Sequence, residues 1–292
     1  MLSGMRSIRI KHETSYHYRE PVEFGPHRAL MRPREGHDLH IASGKFTVSP
    51  KATVRWMRDL HGNSVAVLTF HEPGTLLRVA SEVTVDLYDD ELVECHVAEQ
   101  ARLFPFWYPA SELLGLTPFI LPSHPQDAGS VGAWLADLYA PGRLVDTLDL
   151  LAALNTKIFT ALTYAAREAE GTQAPGETLR LGGGSCRDYA LLMMEAARYW
   201  GFAARFVTGY VLMADGQHGA THAWTEIYLP GAGWTGYDPT NNKLAGSEHI
   251  SAGVAPHPAQ ASPFSGTFSG PADAFERLEV SVQVVDVAGP GS

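Results

Sequence analysis

The spacing of hydrophobic residues changes along this chain, and the change limits the folds that the chain can adopt. Up to about Asp89, apolar and aromatic residues recur at every second position, as at Ile8 and Ile10 and at Tyr16 and Tyr18. Period two is the spacing of a strand with one buried face. Similar runs follow at Lys45–Val48, Thr53–Asp59, Val65–Phe70 and Leu76–Leu87, with a predicted hairpin turn at Leu60–Asn63. Few helical patterns interrupt these strands, so this part is predicted to be an antiparallel β-sandwich.

The second part of the chain has helical spacing, followed again by strands. A stretch with five prolines, residues 104–125, indicates a connector. Helices are predicted at Val131–Tyr139, Asp146–Tyr164 and Cys186–Trp200, and strands at Arg205–Leu212, Thr221–Leu229, Trp234–Asp238 and Glu279–Val287. We therefore predict an α+β protein with two domains. Residues 1–125 would form an N-terminal β-sandwich domain and connector, and residues 126–292 a second domain that includes the C-terminal strand.

Composition argues against several classes of function. The formal net charge is −10 and the basic residues are scattered, so neither nucleic acid nor an anionic membrane is an expected partner. The two cysteines, Cys95 and Cys186, are too few for a disulfide framework. The N-terminus has no apolar run typical of a signal segment, and no stretch approaches the roughly 18 apolar residues of a membrane helix. We expect a cytoplasmic protein; the oligomeric state is left open.

Cys186 lies at the start of a predicted helix, directly after Gly182, Gly183, Gly184 and Ser185. The unpaired N–H groups and the dipole of a helix start favour a thiolate. Glycines also allow a backbone to approach a substrate closely. Most free cysteines are instead small buried hydrophobes, which is the alternative for Cys186. The glycine run together with the helix start favours a nucleophile.

His222 and Asp238 can supply a base and the group that orients it. His222 begins a predicted strand, which would hold its imidazole rigidly, and Trp224 shares its face. His218 is the rival base, but it lies in a predicted loop. Asp238 precedes Pro239, a pair that often does no more than end a strand. Nucleophile, base and carboxylate together form a cysteine catalytic centre that attacks an amide or ester through a thioester.

The two strands must pair in a suitable register for His222 and Asp238 to meet. We predict an antiparallel pair in which His222 lies opposite Asp238 and Trp224 opposite Gly236, with all these side chains on one face. The tightest hairpin would instead place Leu229 opposite Trp234. The predicted register therefore needs a longer loop or a bulge.

At these residues the chain resembles the bacterial transglutaminase-like cysteine proteins. The segment Gly184–Ala190, GSCRDYA, is similar to the family's Gly-x-Cys-x-Asp-x-Ala block. Further blocks match in the family's order and spacing at Tyr199–Tyr210, His222–Tyr228 and Gly233–Asn241. The segments His12–Tyr18 and Asp59–Asn63 resemble the β-rich domain that accompanies this core in many bacterial members. The resemblance implies a papain-like core, in which the helix carrying the cysteine packs on an antiparallel sheet, within a catalytic domain at residues 126–292.

The resemblance also implies roles for particular residues. Cys186, His222 and Asp238 occupy the catalytic positions, and Gly184, Ser185 and Trp224 are predicted to line the substrate site. Asp188 matches a recurrent position, for which we expect a structural role at the helix start. No cofactor is expected.

Three classes of function remain in competition. The first is a cysteine amidase, protease or acyl transferase that acts on a peptide or protein substrate, and hydrolysis is favoured slightly because it needs only water. The second is a noncatalytic binding or scaffold protein that retains the fold. The third is a metal site at His218 and His222, for which no further ligand motif is present. The complete Cys–His–Asp set favours the first.

Overall fold

The fold is described from a computed structural model, which covers residues 5–88, 96–167, 170–212 and 220–287. Six strands come first: β1 (Met5–Phe24), β2 (His27–Ala29), β3 (Leu39–Ser49), β4 (Ala52–Arg58), β5 (Ser64–Phe70) and β6 (Gly74–Tyr88). Helices and short strands alternate next: β7 (Leu103–Phe104), α1 (Ala110–Ile120), α2 (Ala128–Leu135), β8 (Val145–Asp146), α3 (Thr147–Ala161), β9 (Thr163–Tyr164), α4 (Pro175–Leu181), β10 (Gly183–Gly184) and α5 (Cys186–Tyr199). Strands follow to the end: β11 (Ala204–Val211), β12 (Ala220–Leu229), β13 (Gly233–Asp238), β14 (Lys243–Leu244), β15 (His249–Ala255), β16 (Phe264–Ser265), β17 (Phe268–Ser269) and β18 (Phe275–Val287).

The N-terminal strands form two antiparallel sheets that pack face to face. In the first sheet β1 pairs with β6, which pairs with β3, while β17 and β18 pair with the other side of β1. The second sheet has the order β16-β2-β5-β4. Tyr18 and Leu77 from the first sheet share a buried core with Ala66 and Leu68 from the second. The predicted antiparallel β-sandwich is therefore confirmed.

The last strand joins the N-terminal sheet. β18 runs antiparallel to β1, from Ser7 opposite Val287 to Tyr18 opposite Phe275. The sequence placed this strand with the second domain, which is wrong as far as its pairing is concerned. Period-two spacing identifies a strand but does not say which sheet edge is open to it, and here the open edge belongs to β1. The boundary between the two domains otherwise stays a prediction.

The second part of the chain is built around α5. This helix is buried along most of its length because α2, α3 and α4 contact it, as do β11 and β12. The sheet that it packs on has the order β14-β13-β12-β11-β15 and is antiparallel throughout. This is the predicted α+β core, with the cysteine at the first residue of the central helix. None of the helices in the described ranges is long and apolar enough to cross a bilayer.

The two parts of the molecule meet at β15, an edge strand of the sheet on which α5 packs. Ile250 of β15 is buried in one cluster with Ile8 and Ile10 of β1. Asn63, from the turn between β4 and β5, is fully buried and pairs with the main chain of Val254. Its Nδ2 donates to the Val254 carbonyl at 2.7 Å, and its Oδ1 accepts from the Val254 N–H at 2.9 Å. One side chain thus replaces a strand neighbour for β15.

Candidate active site

Cys186 is the first residue of α5, and the start of this helix is tightly capped. Asp188 accepts hydrogen bonds from the backbone N–H and the hydroxyl of Ser185, both at 2.8 Å. It also accepts from the Gln173 N–H at 2.7 Å and from the Arg167 guanidinium at 3.1 Å. Burial alone would raise the pKa of Asp188, but these hydrogen bonds outweigh it and hold the pKa below its usual value. The expected structural role of Asp188 at the helix start is confirmed.

The glycines before Cys186 make room for protein atoms. A Cβ on Gly183 would lie 2.3 Å from the carbonyl oxygen of Thr163, and one on Gly184 would lie 2.8 Å from the Cβ of Asp188. Gly184 is buried, and Ser185 is 3% exposed with its hydroxyl bonded to Asp188. The Ser185 hydroxyl is thus bonded to Asp188, and a substrate contact at Gly184 or Ser185, made through the backbone, stays a prediction. The sequence shows that a glycine is needed there, but it does not show which atoms come close.

His222 and Asp238 form the second half of the site. The Nε2 of His222 lies 2.9 Å from the Oδ2 of Asp238, and the two residues are 8% and 0% exposed. The strands that carry them do not pair in the predicted register. Leu229 lies opposite Gly233 and Glu226 opposite Gly236, so continuing the pairing places Asp238 next to Trp224. The shift amounts to two residues, which leaves every side chain on its face, and His222 reaches Asp238 along the diagonal.

Asp238 is saturated with hydrogen-bond donors. Its Oδ1 accepts from the backbone N–H groups of Thr240 and Asn241, and its Oδ2 accepts from His222, His249 and the Asn241 amide. Burial alone would raise the pKa of Asp238, but the donors outweigh it, His222 first, and hold the pKa far below its usual range. The group is therefore a carboxylate at every pH at which the protein would work.

The imidazole of His222 lies between the carboxylate and the sulfur. Its second side-chain hydrogen-bond partner is Cys186, and because Nε2 faces Asp238, Nδ1 is the nitrogen left for the sulfur. Burial alone would lower the pKa of His222. The hydrogen bonds and charges of Asp238 and Cys186 outweigh it and raise the pKa to about 9. A proton is thus held on the ring beside the sulfur at neutral pH.

A direct contact fixes the helix of the cysteine to the strand of the histidine. The hydroxyl of Thr225, on β12 and fully buried, donates to the carbonyl oxygen of Ala190 on α5 at 2.6 Å. Cys186 itself is partly exposed as a residue. The sulfur and the imidazole are therefore carried on elements that cannot shift independently.

Trp224 lies behind the site. It is 2% exposed, and its ring centroid is 6.3 Å from that of His222 and 5.2 Å from that of His249. The prediction that Trp224 lines the substrate site is wrong, because a residue buried in this way has almost no surface for a substrate. Trp224 shares a face of β12 with His222 as predicted, but there it is buried in a cluster with Val207 and Val254.

Tyr164 is a residue beside the sulfur that the sequence did not single out. It is 53% exposed and pairs, on β9, with Gly184 of β10. Burial of part of the ring and then the proximity of Cys186 raise the pKa of Tyr164. An aromatic residue after an apolar helical run was visible in the sequence, but nothing there indicated that β9 and β10 run side by side.

His249 is the second residue that sequence reasoning missed. Its Nε2 lies 3.0 Å from the Oδ2 of Asp238, and its side chain is 2% exposed. The available signal was the alternation of Ile250, Ala252 and Val254, which is typical of a strand that would begin near His249. The surrounding Pro, Ala, Ser and Gly residues obscured it.

The same three side chains have the composition of a metal site. One ligand atom each from His222, Asp238 and His249 lies within 4.8 Å of the others. Each of these atoms already makes a hydrogen bond inside the group, so the donor set is used without a metal. His218, the other histidine of the metal hypothesis and the rival base, lies outside the described residues, as does Cys95.

A buried helix that begins at a cysteine, packed on an antiparallel sheet that carries a histidine and an aspartate, defines the papain-like fold of transglutaminase-like proteins. Two family patterns match the chain: the bacterial transglutaminase-like N-terminal region at residues 8–86, and the transglutaminase-like superfamily at residues 142–239. The chain therefore belongs to the bacterial transglutaminase-like proteins, with both regions of that family in one chain.

Relatives match over nearly the whole length. The uncharacterized protein Rv2569c of Mycobacterium tuberculosis is 28% identical over 307 residues, which cover 99% of this chain and 95% of the relative. The uncharacterized protein ML0607 of Mycobacterium leprae is 25% identical, with 97% and 100% covered. The crystal structure of a candidate cysteine protease from Cytophaga hutchinsonii superposes with a TM-score of 0.73 at 18% identity, covering 98% of this chain and 93% of that one. The last match shows a shared fold across both parts of the molecule.

Proposed function

We propose that this protein is a cysteine-dependent amide-bond hydrolase or acyl transferase that acts on peptide or protein substrates. The observation that carries the proposal is the position of His222, which has Asp238 on one ring nitrogen and Cys186 on the other. A protonated imidazole next to the sulfur stabilises a thiolate, and the carboxylate stabilises the imidazolium. Cys186 is partly exposed, as a residue that meets a substrate must be.

The first half of the reaction forms a thioester. The thiolate of Cys186 attacks the carbonyl carbon of an amide, and the electron pair of the C=O bond moves to oxygen. The N–H of Cys186, at the first residue of α5, has no carbonyl partner within the helix and can stabilise this oxyanion. When the tetrahedral intermediate collapses, the C–N bond breaks and His222 gives its proton to the leaving nitrogen. An amine departs, and His222 is neutral.

The second half releases the acyl group. His222 takes a proton from water or from an amine as that nucleophile attacks the thioester carbonyl. The C–S bond breaks, and the thiolate returns beside the imidazolium. Water gives a carboxylic acid and an amine gives a new amide. Hydrolysis is the reaction we favour, because it needs no second substrate.

Tyr164 is proposed as a substrate contact. It is half exposed, it lies beside Cys186, and its strand β9 borders the glycine segment that leads to the nucleophile. An aromatic ring at that place can pack on the acyl side chain or backbone of a peptide. Cytoplasmic residence remains a prediction from the sequence.

The test uses an electrophilic probe and casein. Intact-mass analysis after limited iodoacetamide should show one adduct in the wild type and in Cys95→Ser, and a much slower reaction in Cys186→Ala. Casein treated with each variant is then analysed by mass spectrometry for new peptide termini, for glutamine deamidation and for incorporation of an added primary amine. Each of these three products identifies one reaction, and each should be absent with Cys186→Ala and with His222→Ala.

A noncatalytic scaffold predicts a different result. In that case Cys186 would react no faster than a free thiol, and no product would depend on it. Full activity in Cys186→Ala would equally contradict the assignment of the nucleophile.

A further inference from the structure

We propose that His249 is a positioning residue, which orients the Asp238 carboxylate toward His222 and links the site to the N-terminal β-sandwich. The inference rests on the proposed function, because it assigns His249 a part in the same centre. His249 is the first residue of β15, and the Nε2 of its ring lies 3.0 Å from the oxygen of Asp238 that also accepts from His222.

The hydrogen bonds of His249 define where its proton lies. Nδ1 accepts the backbone N–H of Gly246 at 3.3 Å, so this nitrogen is the unprotonated one. The proton is then on Nε2, which donates it to Asp238. His249 is therefore a neutral donor with a defined tautomer.

A neutral donor suits this place better than a cation. The ring centroids of His222 and His249 are 6.1 Å apart, so a charge on His249 would repel the proton that His222 must carry. Of the charged side chains near the start of β15, Glu248 pairs with Lys243 at the surface, and Arg6 of β1 lies near enough to act on Glu248. As a neutral donor, His249 can thus orient the Asp238 carboxylate without weakening its attraction for the protonated His222.

The position of His249 depends on the N-terminal domain. Ile250, the next residue, is buried with Ile8 and Ile10 of β1, and Val254 pairs with Asn63 of the β4–β5 turn. The sandwich therefore holds the edge strand whose first side chain contacts Asp238. This gives the sandwich an indirect part in the active site, through β15.

The experiment compares His249→Gln, which keeps an N–H donor at similar reach, with His249→Leu, which does not. His27→Leu is the matched control, since His27 is another buried imidazole, located on β2 of the sandwich and bonded to the carbonyl oxygen of Gly25. The readout is the rate of Cys186 alkylation by iodoacetamide from pH 5 to 10, with thermal unfolding followed in parallel.

We expect His249→Leu to slow alkylation at pH 7 by about tenfold. The step of the rate profile at which His222 loses its proton should move to a lower pH than in the wild type. A loosened Asp238 no longer holds the proton on His222 against the effect of burial. His249→Gln should keep both the rate at pH 7 and the position of that step, and His27→Leu should change stability only. Equal profiles for folded His249→Leu and wild type, or equal defects in the Gln and Leu variants, would overturn the proposal.

A second measurement needs only the wild-type protein. Two-bond ¹H–¹⁵N correlations of the histidine rings should show the proton of His249 on Nε2 and none on Nδ1, and His249→Gln assigns the signal. A cationic ring, or the other tautomer, would contradict the proposal even if His249→Leu failed to fold. Since alkylation and tautomer are measured without substrate, both results stand apart from whether casein is cleaved.

Discussion

His222 and Asp238 lie diagonally across the strands β12 and β13, with the Nε2 of one 2.9 Å from the Oδ2 of the other. A diagonal pair in a sheet is held by two strands at once, so the carboxylate can orient the ring only while the register is kept. Asparagine has the same shape as aspartate but no charge. A substitution of Asp238 by asparagine therefore tests the charge apart from the shape of the side chain.

Asp238→Asn should therefore reduce kcat by about 10²- to 10⁴-fold and leave some activity. The amide has the shape of the carboxylate, but its NH2 group faces donors where an oxygen accepted, and it carries no charge to stabilise a protonated His222. Steady-state kinetics on the casein-derived peptide that the wild type cleaves best would measure the effect. Asp273→Asn, at an exposed carboxylate bonded to Arg19 only at the surface, is the control and should keep wild-type rates. An Asp238→Asn enzyme within threefold of the wild type would contradict the role given to the carboxylate.

The raised pKa of His222 predicts where activity ends at high pH. The ring keeps its proton until about pH 9, so kcat/KM should fall as pH rises through about 9 rather than near 6.5. The same shift contributes stability that is fully present below about pH 6.5 and is lost as pH rises through about 9. The ratio of iodoacetate to iodoacetamide alkylation rates at Cys186 should fall in parallel, because the imidazolium attracts the anionic reagent. A limb near pH 6.5 would mean that Asp238 does not act on His222.

Most of the catalytic half could be predicted from the sequence, because its signals are local. The apolar stripe of α5, the glycine stop after it and the period-two runs of β11 and β12 each follow from a few neighbouring residues. The helix α1 was missed, since it lies in the proline-rich stretch and contains Pro118. Pro118 is near its end, and the residue four positions earlier, Leu114, is 86% exposed, so water can take the place of the lost hydrogen bond.

The contacts that complete the site join residues far apart in the sequence, so local patterns do not predict them. The register of β12 and β13 follows from the loop at Pro230–Ala232. Gly231 in this loop and Gly233, the first residue of β13, have φ of 87° and 77°. The spacing of His222 and Asp238 in the sequence does not determine which residues of β12 and β13 lie opposite each other. His249 reaches Asp238 only because β15 joins the sheet beside β11, which no local pattern indicates.

Asp188→Asn should lower the free energy of unfolding by about 3 kcal/mol, because Arg167 and the Ser185 N–H would lose a charged, buried acceptor. The pKa of Asp188 is lower in the folded state, so this stability is present above about pH 4 and is lost as pH falls toward the folded value. Urea unfolding at pH 7 measures the change. Asp149→Asn is the matched control, since Asp149 is an exposed acid in the first turn of α3, and it should cost less than about 0.5 kcal/mol. Equal losses in both variants would contradict the role of Asp188.

Tyr164→Ala should raise KM about tenfold with little change in kcat, because the ring would bind substrate and transition state alike. Tyr164→Phe should behave as the wild type, since packing rather than the hydroxyl is the proposed contact. Tyr199→Ala, at a similarly exposed ring that is 50% accessible at the other end of α5, is the control for loss of a surface tyrosine. A drop in kcat with unchanged KM would indicate that Tyr164 acts on the reacting atoms instead.

Asn63→Leu should destabilise the protein by removing the contact between the N-terminal sandwich and β15. Leucine has the branching and the number of side-chain heavy atoms of asparagine, although it is bulkier, and it leaves the N–H and C=O of Val254 buried without their partner, which costs about 2–4 kcal/mol. Asn155→Leu is the matched control: Asn155 is also buried, but it makes one side-chain hydrogen bond of 3.3 Å and its Oδ1 has no partner, so its loss should be nearly neutral. Urea unfolding of both variants, with Cys186 alkylation measured below the transition, compares stability with the state of the active site. If Asn63→Leu is no less stable than Asn155→Leu, then β15 does not depend on the sandwich for its edge pairing.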